Sequence, residues 1–339
     1  MEIKKVNIFF PFFIFGYIFL NVAVALIESL LISAGIIKGI TSAVLFIQNE
    51  LVIVILLFGF CLITGVGIKD LRFKMLSIKD IILSLLVGYL IIPMSLFLTN
   101  ITSLFVDNAA AKTVSEVNAY PYIVQIILIA VMPAFVEEFT FRGLFYGTYR
   151  KSGKYFKAML LSAVLFGLFH LNFDQFVYAT FMGVLFARLT EATGSILSSI
   201  LAHFAFNTFS VTVNYLYGMS KEAASAALSE ESQEVVSTPI ISLIFLFVLG
   251  LLLLSIALLI IQKLEKEHGI DISSRVNNLE ENVTYVANST NNEVAVDNQL
   301  TNEEALTEVV TVKKDRLITV PLVLGMVVCL AYMIFTVVS

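Results

Sequence analysis

Leu51-Val-Ile-Val-Ile-Leu-Leu-Phe-Gly-Phe-Cys-Leu-Ile-Thr-Gly-Val-Gly-Ile68 runs for 18 residues without one charged side chain. A bilayer core of about 30 Å is crossed by roughly 20 apolar residues in a helix. Runs of this kind recur along the chain at 8–33, 51–68, 80–99, 121–147, 156–171, 174–190, 194–217, 239–262 and 318–338. The fifth and sixth are short and nearly touch, joined by Leu171-Asn172-Phe173-Asp174. The fold class is therefore all-α: a polytopic membrane bundle of about 8–9 transmembrane helices. Composition agrees, with 58% apolar residues, 14% charged residues and a mean hydropathy of +0.92. Soluble domains carry about 25% charged residues.

Several function classes drop out. There is no Gly-rich phosphate loop, no basic patch and no internal repeat, so no nucleic acid is expected as a partner. Cys61 and Cys329 lie in separate apolar runs without a CxxC neighbour, and read as packing residues. The first run is too long for a signal peptide, has no small-residue cleavage site, and reads as an anchor span.

Lys and Arg orient the bundle. With the N-terminus cytoplasmic, the inner segments hold Lys4, Lys5, Lys69, Arg72, Lys74, Lys79, Arg150, Lys151, Lys154, Lys157, Lys263, Lys266, Arg275, Lys313, Lys314 and Arg316. The outer loops hold only Lys38, Lys112 and Lys221. Positive charge is retained inside, which places the C-terminus outside. Three regions follow: a bundle over 1–264 with a core at about 115–217, a linker over 265–316, and a final helix over 317–339. The linker is rich in Glu, Asn and Thr and has no aromatic beyond Tyr285. It buries too little apolar surface to offset ordering entropy and reads as a disordered cytoplasmic segment. The last span reads as detachable, so a chain ending near 264 is expected to remain functional.

Charged side chains within a span are costly and point to function. The fourth span contains Pro133-Ala-Phe-Val-Glu137-Glu138-Phe-Thr-Phe-Arg142. Glu138 and Arg142 are four apart and share a helix face, so they can pair. Adjacent positions point about 100° apart, so Glu137 is expected to face a different neighbour from Glu138. His170 closes the fifth span, and His203 and Asn207 lie one turn apart on the seventh. His268 lies among charges and reads as a solvated bystander. Glu137 lies 13 residues before Arg150, and His170 lies 13 after Lys157. At about 1.5 Å per residue both sit roughly 20 Å from the inner charges, and His203 and Asn207 roughly 14–20 Å. Polar groups on three helices thus share one level.

Glu137-Glu138-x-x-x-Arg142, Phe166-x-x-x-His170 and His203-x-x-x-Asn207, in that order, resemble the motifs of the type II CAAX prenyl endopeptidase family. This is also known as the CAAX protease and bacteriocin-processing, or Abi, family. The resemblance spans roughly 115–215. It implies an intramembrane endopeptidase with a conical cavity, in which Glu137 and His170 activate a water. It also implies that His203 and Asn207 stabilise the oxyanion and that Glu138 and Arg142 support them. Hydrolysis needs such a base and such donors. The implied partners are a peptide or protein substrate entering from the membrane and the lipid bilayer, and the implied location is a bacterial plasma membrane. The resemblance favours no cofactor. The alternative is zinc held by Glu137, His170 and His203, since carboxylate and imidazole are zinc ligands, although no HExxH helix is present.

Two other classes compete. A non-catalytic immunity or regulatory protein has no reason to keep these four polar groups buried. A proton-coupled transporter also uses intramembrane Glu and His, but the repeat symmetry common to transporters is missing. The orientation is directly testable. Cysteine placed at Ser289 should be shielded from impermeant reagent in intact cells, and cysteine at Ser225 should react. Labelling at Ser289 from outside would invert the topology.

Overall fold

The computed structural model describes residues 2–107, 116–227, 240–270 and 316–338. Among them the regular structure is all helical, with one 3-10 turn at Ile68–Leu71 and nine long helical segments. They are α1 (Ile3–Ser33), α2 (Ser42–Thr64), α3 (Ile78–Thr102), α4 (Tyr122–Ser152), α5 (Tyr155–Phe169), α6 (Phe173–Thr193), α7 (Ile196–Ala227), α8 (Ile240–Glu267) and α9 (Val320–Val338). All but α5 and α6 are long and apolar enough to cross a bilayer. The expected polytopic helical bundle is thus what the chain forms.

Local chemistry sets the boundaries. Thr41 caps α2, its Oγ1 accepting from the Val44 amide, and Gly65 ends the helix in the left-handed region at φ 71°. The second span therefore covers 42–64, where the apolar run alone indicated 51–68. That run began only after the polar triplet Gln48-Asn49-Glu50, which in fact lies inside the helix. α3 breaks at Ile91 into Ile78–Leu90 and Ile92–Thr102, because Pro93 carries no N–H and crowds the preceding turn. α7 continues as helix ten residues past the 217 expected, to Ala227. The outer-loop reading over 228–238 and the linker reading over 271–315 fall outside the described residues.

Helices without a hydrophobic drive between them associate through close contact of small residues. A Cβ on Gly88 of α3 would lie 2.2 Å from the Ala202 carbonyl oxygen of α7. One on Gly167 of α5 would lie 2.2 Å from Thr180 Oγ1 and 2.7 Å from the Phe176 carbonyl oxygen of α6. The α5–α6 hairpin turns at Leu171, with φ 56°, and Asn172 caps α6 by accepting from the Gln175 amide. Glu191, fully buried at the end of α6, closes the end of the bundle that carries Arg72 and Arg150. It accepts from Arg72 (3.0 Å), from Arg150 Nε (2.7 Å) and Nη2 (2.6 Å), and from the Tyr146 hydroxyl (3.0 Å).

The last helix is not detached. Leu322, Cys329 and Met333 of α9 are buried in the main apolar core with Phe10 and Phe13 of α1. Asn7 donates from Nδ2 to the Leu317 carbonyl at 2.9 Å and accepts from the Tyr149 hydroxyl at 2.8 Å. A linker's composition carries no information about where the helix beyond it docks. Removing residues 316–339 should therefore lower the thermal stability of purified protein, against the expectation of a dispensable tail. An orphaned buried Asn7 amide alone costs about 1–3 kcal/mol. A melting temperature unchanged in detergent would show that α9 adds nothing to the core.

Candidate active site

The irregularity of α4 builds the site. Its hydrogen bonding widens to the π pattern over Ile126–Val131 and again over Phe139–Tyr146, with regular α-helix over Met132–Glu138 between them. Such π segments concentrate at functional sites. In a regular helix the amide of residue 133 would bond the Ile129 carbonyl, but Pro133 has no N–H. Asn207 on α7 supplies the donor instead, with Nδ2 3.0 Å from the Ile129 oxygen. Ser162 of α5 likewise donates to the Phe141 carbonyl at 2.8 Å. Irregular backbone at membrane depth is tolerated where neighbouring helices satisfy it.

Glu138 and Arg142 pair as expected, Nη1 to Oε1 at 2.9 Å, with both side chains fully buried. The guanidinium lies over the Phe166 ring at 4.3 Å and the Phe186 ring at 5.4 Å, so aromatic faces cover the charge. The same Glu138 Oε1 is 3.1 Å from His203 Nδ1. A carboxylate engaged by arginine accepts, so Nδ1 carries the proton and donates. The opposite ring nitrogen, Nε2, is 3.9 Å from Glu137 Oε2. The expectation that the two glutamates face different neighbours is thus corrected. They approach one histidine from its two sides, because an imidazole presents two nitrogens and its ring lies between them.

His170 is the first residue beyond α5. Its Nδ1 is 2.9 Å from the Phe166 carbonyl oxygen. A carbonyl can only accept, so Nδ1 bears the proton and a neutral ring keeps its lone pair on Nε2. Phe166 contacts both histidine rings edge-on, at 5.0 Å from His170 and 6.0 Å from His203. Glu137, His170 and Asn207 are half-buried and reachable, whereas Glu138, Arg142 and His203 are sealed in. The expected residues divide by exposure into a reachable set and a supporting set.

The Nδ1–H groups of His203 and His170 are committed to Glu138 and to the Phe166 carbonyl, which leaves both Nε2 lone pairs open, as they are in metal-bound histidines. Among the described residues no three His, Cys, Asp or Glu side chains converge as a metal site. A cavity of about 210 Å³ near Gly143, Gly147 and Lys151 contains none of the candidate residues.

Sequence reading missed Glu50, Tyr17 and Tyr178. All three lie within electrostatic reach of Glu137. The signal for Glu50 was present: a carboxylate eight residues into an apolar helix that begins at Ser42.

Residues 119–209 match the model of the family described as type II CAAX prenyl endopeptidase Rce1-like. The likeness carried by the three motifs is thereby shown for this stretch, which holds Glu137, Glu138, Arg142, His170, His203 and Asn207. A Bacillus subtilis (strain 168) protein named "Putative membrane peptidase YdiL" is 33% identical over 103 residues, 29% of this chain and 42% of that protein. The chain thus covers less than half the length of that relative. No solved structure matches.

The division of roles predicts distinct behaviour for Glu138. Glu138→Gln leaves a buried arginine without its counter-charge and replaces the carboxylate shared with His203 by a neutral amide. Breaking such a pair costs about 3–5 kcal/mol. The variant should accumulate poorly in membranes, measured by immunoblot and by detergent melting. Wild-type accumulation would contradict a supporting role for Glu138.

Proposed function

We propose that this integral-membrane chain is an endopeptidase that hydrolyses a peptide bond of a membrane-associated peptide or protein, with water activated by Glu137 and His170. The observation that carries the reading is the asymmetry of the paired glutamates. Glu138 is fully buried and held by Arg142 and His203, while the Glu137 side chain keeps 12% exposure and faces the same histidine. Packing has no use for a carboxylate left reachable at this depth, whereas hydrolysis needs one.

The chemistry follows from the hydrogen bonds. Glu137 takes a proton from water as its oxygen attacks the carbonyl carbon. His170 Nε2 is the second acceptor within the site. The proton passes to the amide nitrogen as the C–N bond breaks, giving a carboxylate and an amine. One N–H of Asn207 is committed to Ile129, which fixes the amide, and the second is free to donate to the oxyanion. His203, with Nδ1–H held by Glu138, turns its Nε2 edge toward Glu137. No resident metal is required. We place the N-terminus in the cytoplasm of a bacterial cell, following the distribution of Lys and Arg, and the substrate enters from the membrane.

Proteomics of membrane-anchored peptides from cells with wild type or Glu137→Gln should show cleaved products only with wild type, at equal protein levels. On purified protein, chelators should leave activity intact, and Asn207→Ala should lower turnover about 100-fold, the usual effect of losing one oxyanion donor. One stoichiometric zinc, removed and restored in step with activity, would overturn the Glu137–His170 mechanism.

A further inference from the structure

Glu50 has no place in the mechanism, and its surroundings ask for one. It lies about 12 Å along α2 from Ser42, at about 1.5 Å per residue. It is 8% exposed, and its Oε2 has no hydrogen-bond partner among the described residues. No counter-charge is at hand. Arg142 is the one Lys or Arg that is fully buried among the described residues, and Glu138 holds it. Arg72 and Arg150 serve Glu191, Arg188 serves Glu265, and Lys79 serves Glu267. A neutral carboxyl would be a donor seeking an acceptor. The nearby Tyr17 hydroxyl is instead turned to Asn49 Oδ1 at 3.5 Å. An isolated buried carboxylate is among the most costly groups a protein can hold.

The approach to Glu50 is polar. Tyr17, Asn21 and Glu28 lie on one face of α1, at positions i, i+4 and i+11. Asn21 donates to the Tyr17 carbonyl, Glu28 accepts from Gln48 of α2, and Tyr17 meets Asn49. This seam runs from the α1–α2 turn, the end opposite Arg150, down to Glu50, which lies within electrostatic reach of Glu137. It lies outside residues 119–209, so nothing in the family match accounts for it.

We infer that Glu50 is a specificity-determining residue, the floor of a subsite that takes the ammonium or guanidinium of a substrate Lys or Arg close to the bond presented to Glu137. The inference rests on the peptidase reading. A substrate cation supplies the counter-charge that the fold withholds. A site built around a buried polar group discriminates strongly against an isostere that leaves it unpaired.

The test separates binding from turnover. Two dye-labelled apolar peptides, identical except for one central lysine or norleucine, are titrated by fluorescence anisotropy against Glu137→Gln protein in detergent. The lysine peptide should bind at least tenfold more tightly, and adding Glu50→Gln should remove the difference. Glu50→Asp, which keeps the charge, should retain part of it. Equal affinity for the two peptides with Glu50 intact overturns the proposal, as does a lysine preference that survives Glu50→Gln. A wild type that binds the lysine peptide preferentially yet cleaves no peptide would leave the subsite standing and remove the peptidase reading.

Discussion

One carboxylate oxygen, Glu138 Oε1, holds the centre of this bundle together. It accepts from Arg142 Nη1 at 2.9 Å and lies 3.1 Å from His203 Nδ1, linking α4 to α7 where water does not reach. Three features of the site depend on that link. It neutralises an arginine that hydrocarbon would not tolerate, fixes which nitrogen of His203 bears the proton, and sets that ring against Glu137. Removing any one member leaves the others as uncompensated buried groups, and this coupling gives the arrangement its geometric definition.

Around that link, backbone irregularity is matched by side chains from neighbouring helices. Pro133 denies the Ile129 carbonyl its usual donor, and Asn207 provides one. The π segment over Phe139–Tyr146 is met by Ser162. The close approaches at Gly88 and Gly167 seat α7 against α3 and α6 against α5. Packing through small residues, rather than apolar burial, sets the distances between groups on different helices.

Much of this was legible in the sequence, and the legible part is what helix periodicity governs. Glu138 with Arg142, and His203 with Asn207, are four-residue spacings, and both pairs lie as that spacing requires. The common depth of Glu137 and His203, counted from the flanking Lys and Arg, agrees with the 3.9 Å between Glu137 Oε2 and His203 Nε2. The illegible part depends on how helices meet. Periodicity gives the angle between Glu137 and Glu138, but not that one imidazole lies between them. The triplet Gln48-Asn49-Glu50 lowered local hydropathy enough to hide the start of α2, and Glu50 with it. The docking of α9 on α1 was equally out of reach, because apolar surface specifies burial but not against which partner.

The account stands most directly on the claim that Glu137 activates water and does not itself attack the peptide carbonyl. A single turnover in water enriched in oxygen-18, with enzyme in excess over a cleaved peptide, decides this. Direct attack by water places one heavy oxygen in the new carboxyl group of the product and leaves Glu137 unlabelled, which is the predicted result. An unlabelled product, with the heavy oxygen recovered in the Glu137 side chain by mass spectrometry, would make Glu137 a nucleophile and contradict the mechanism.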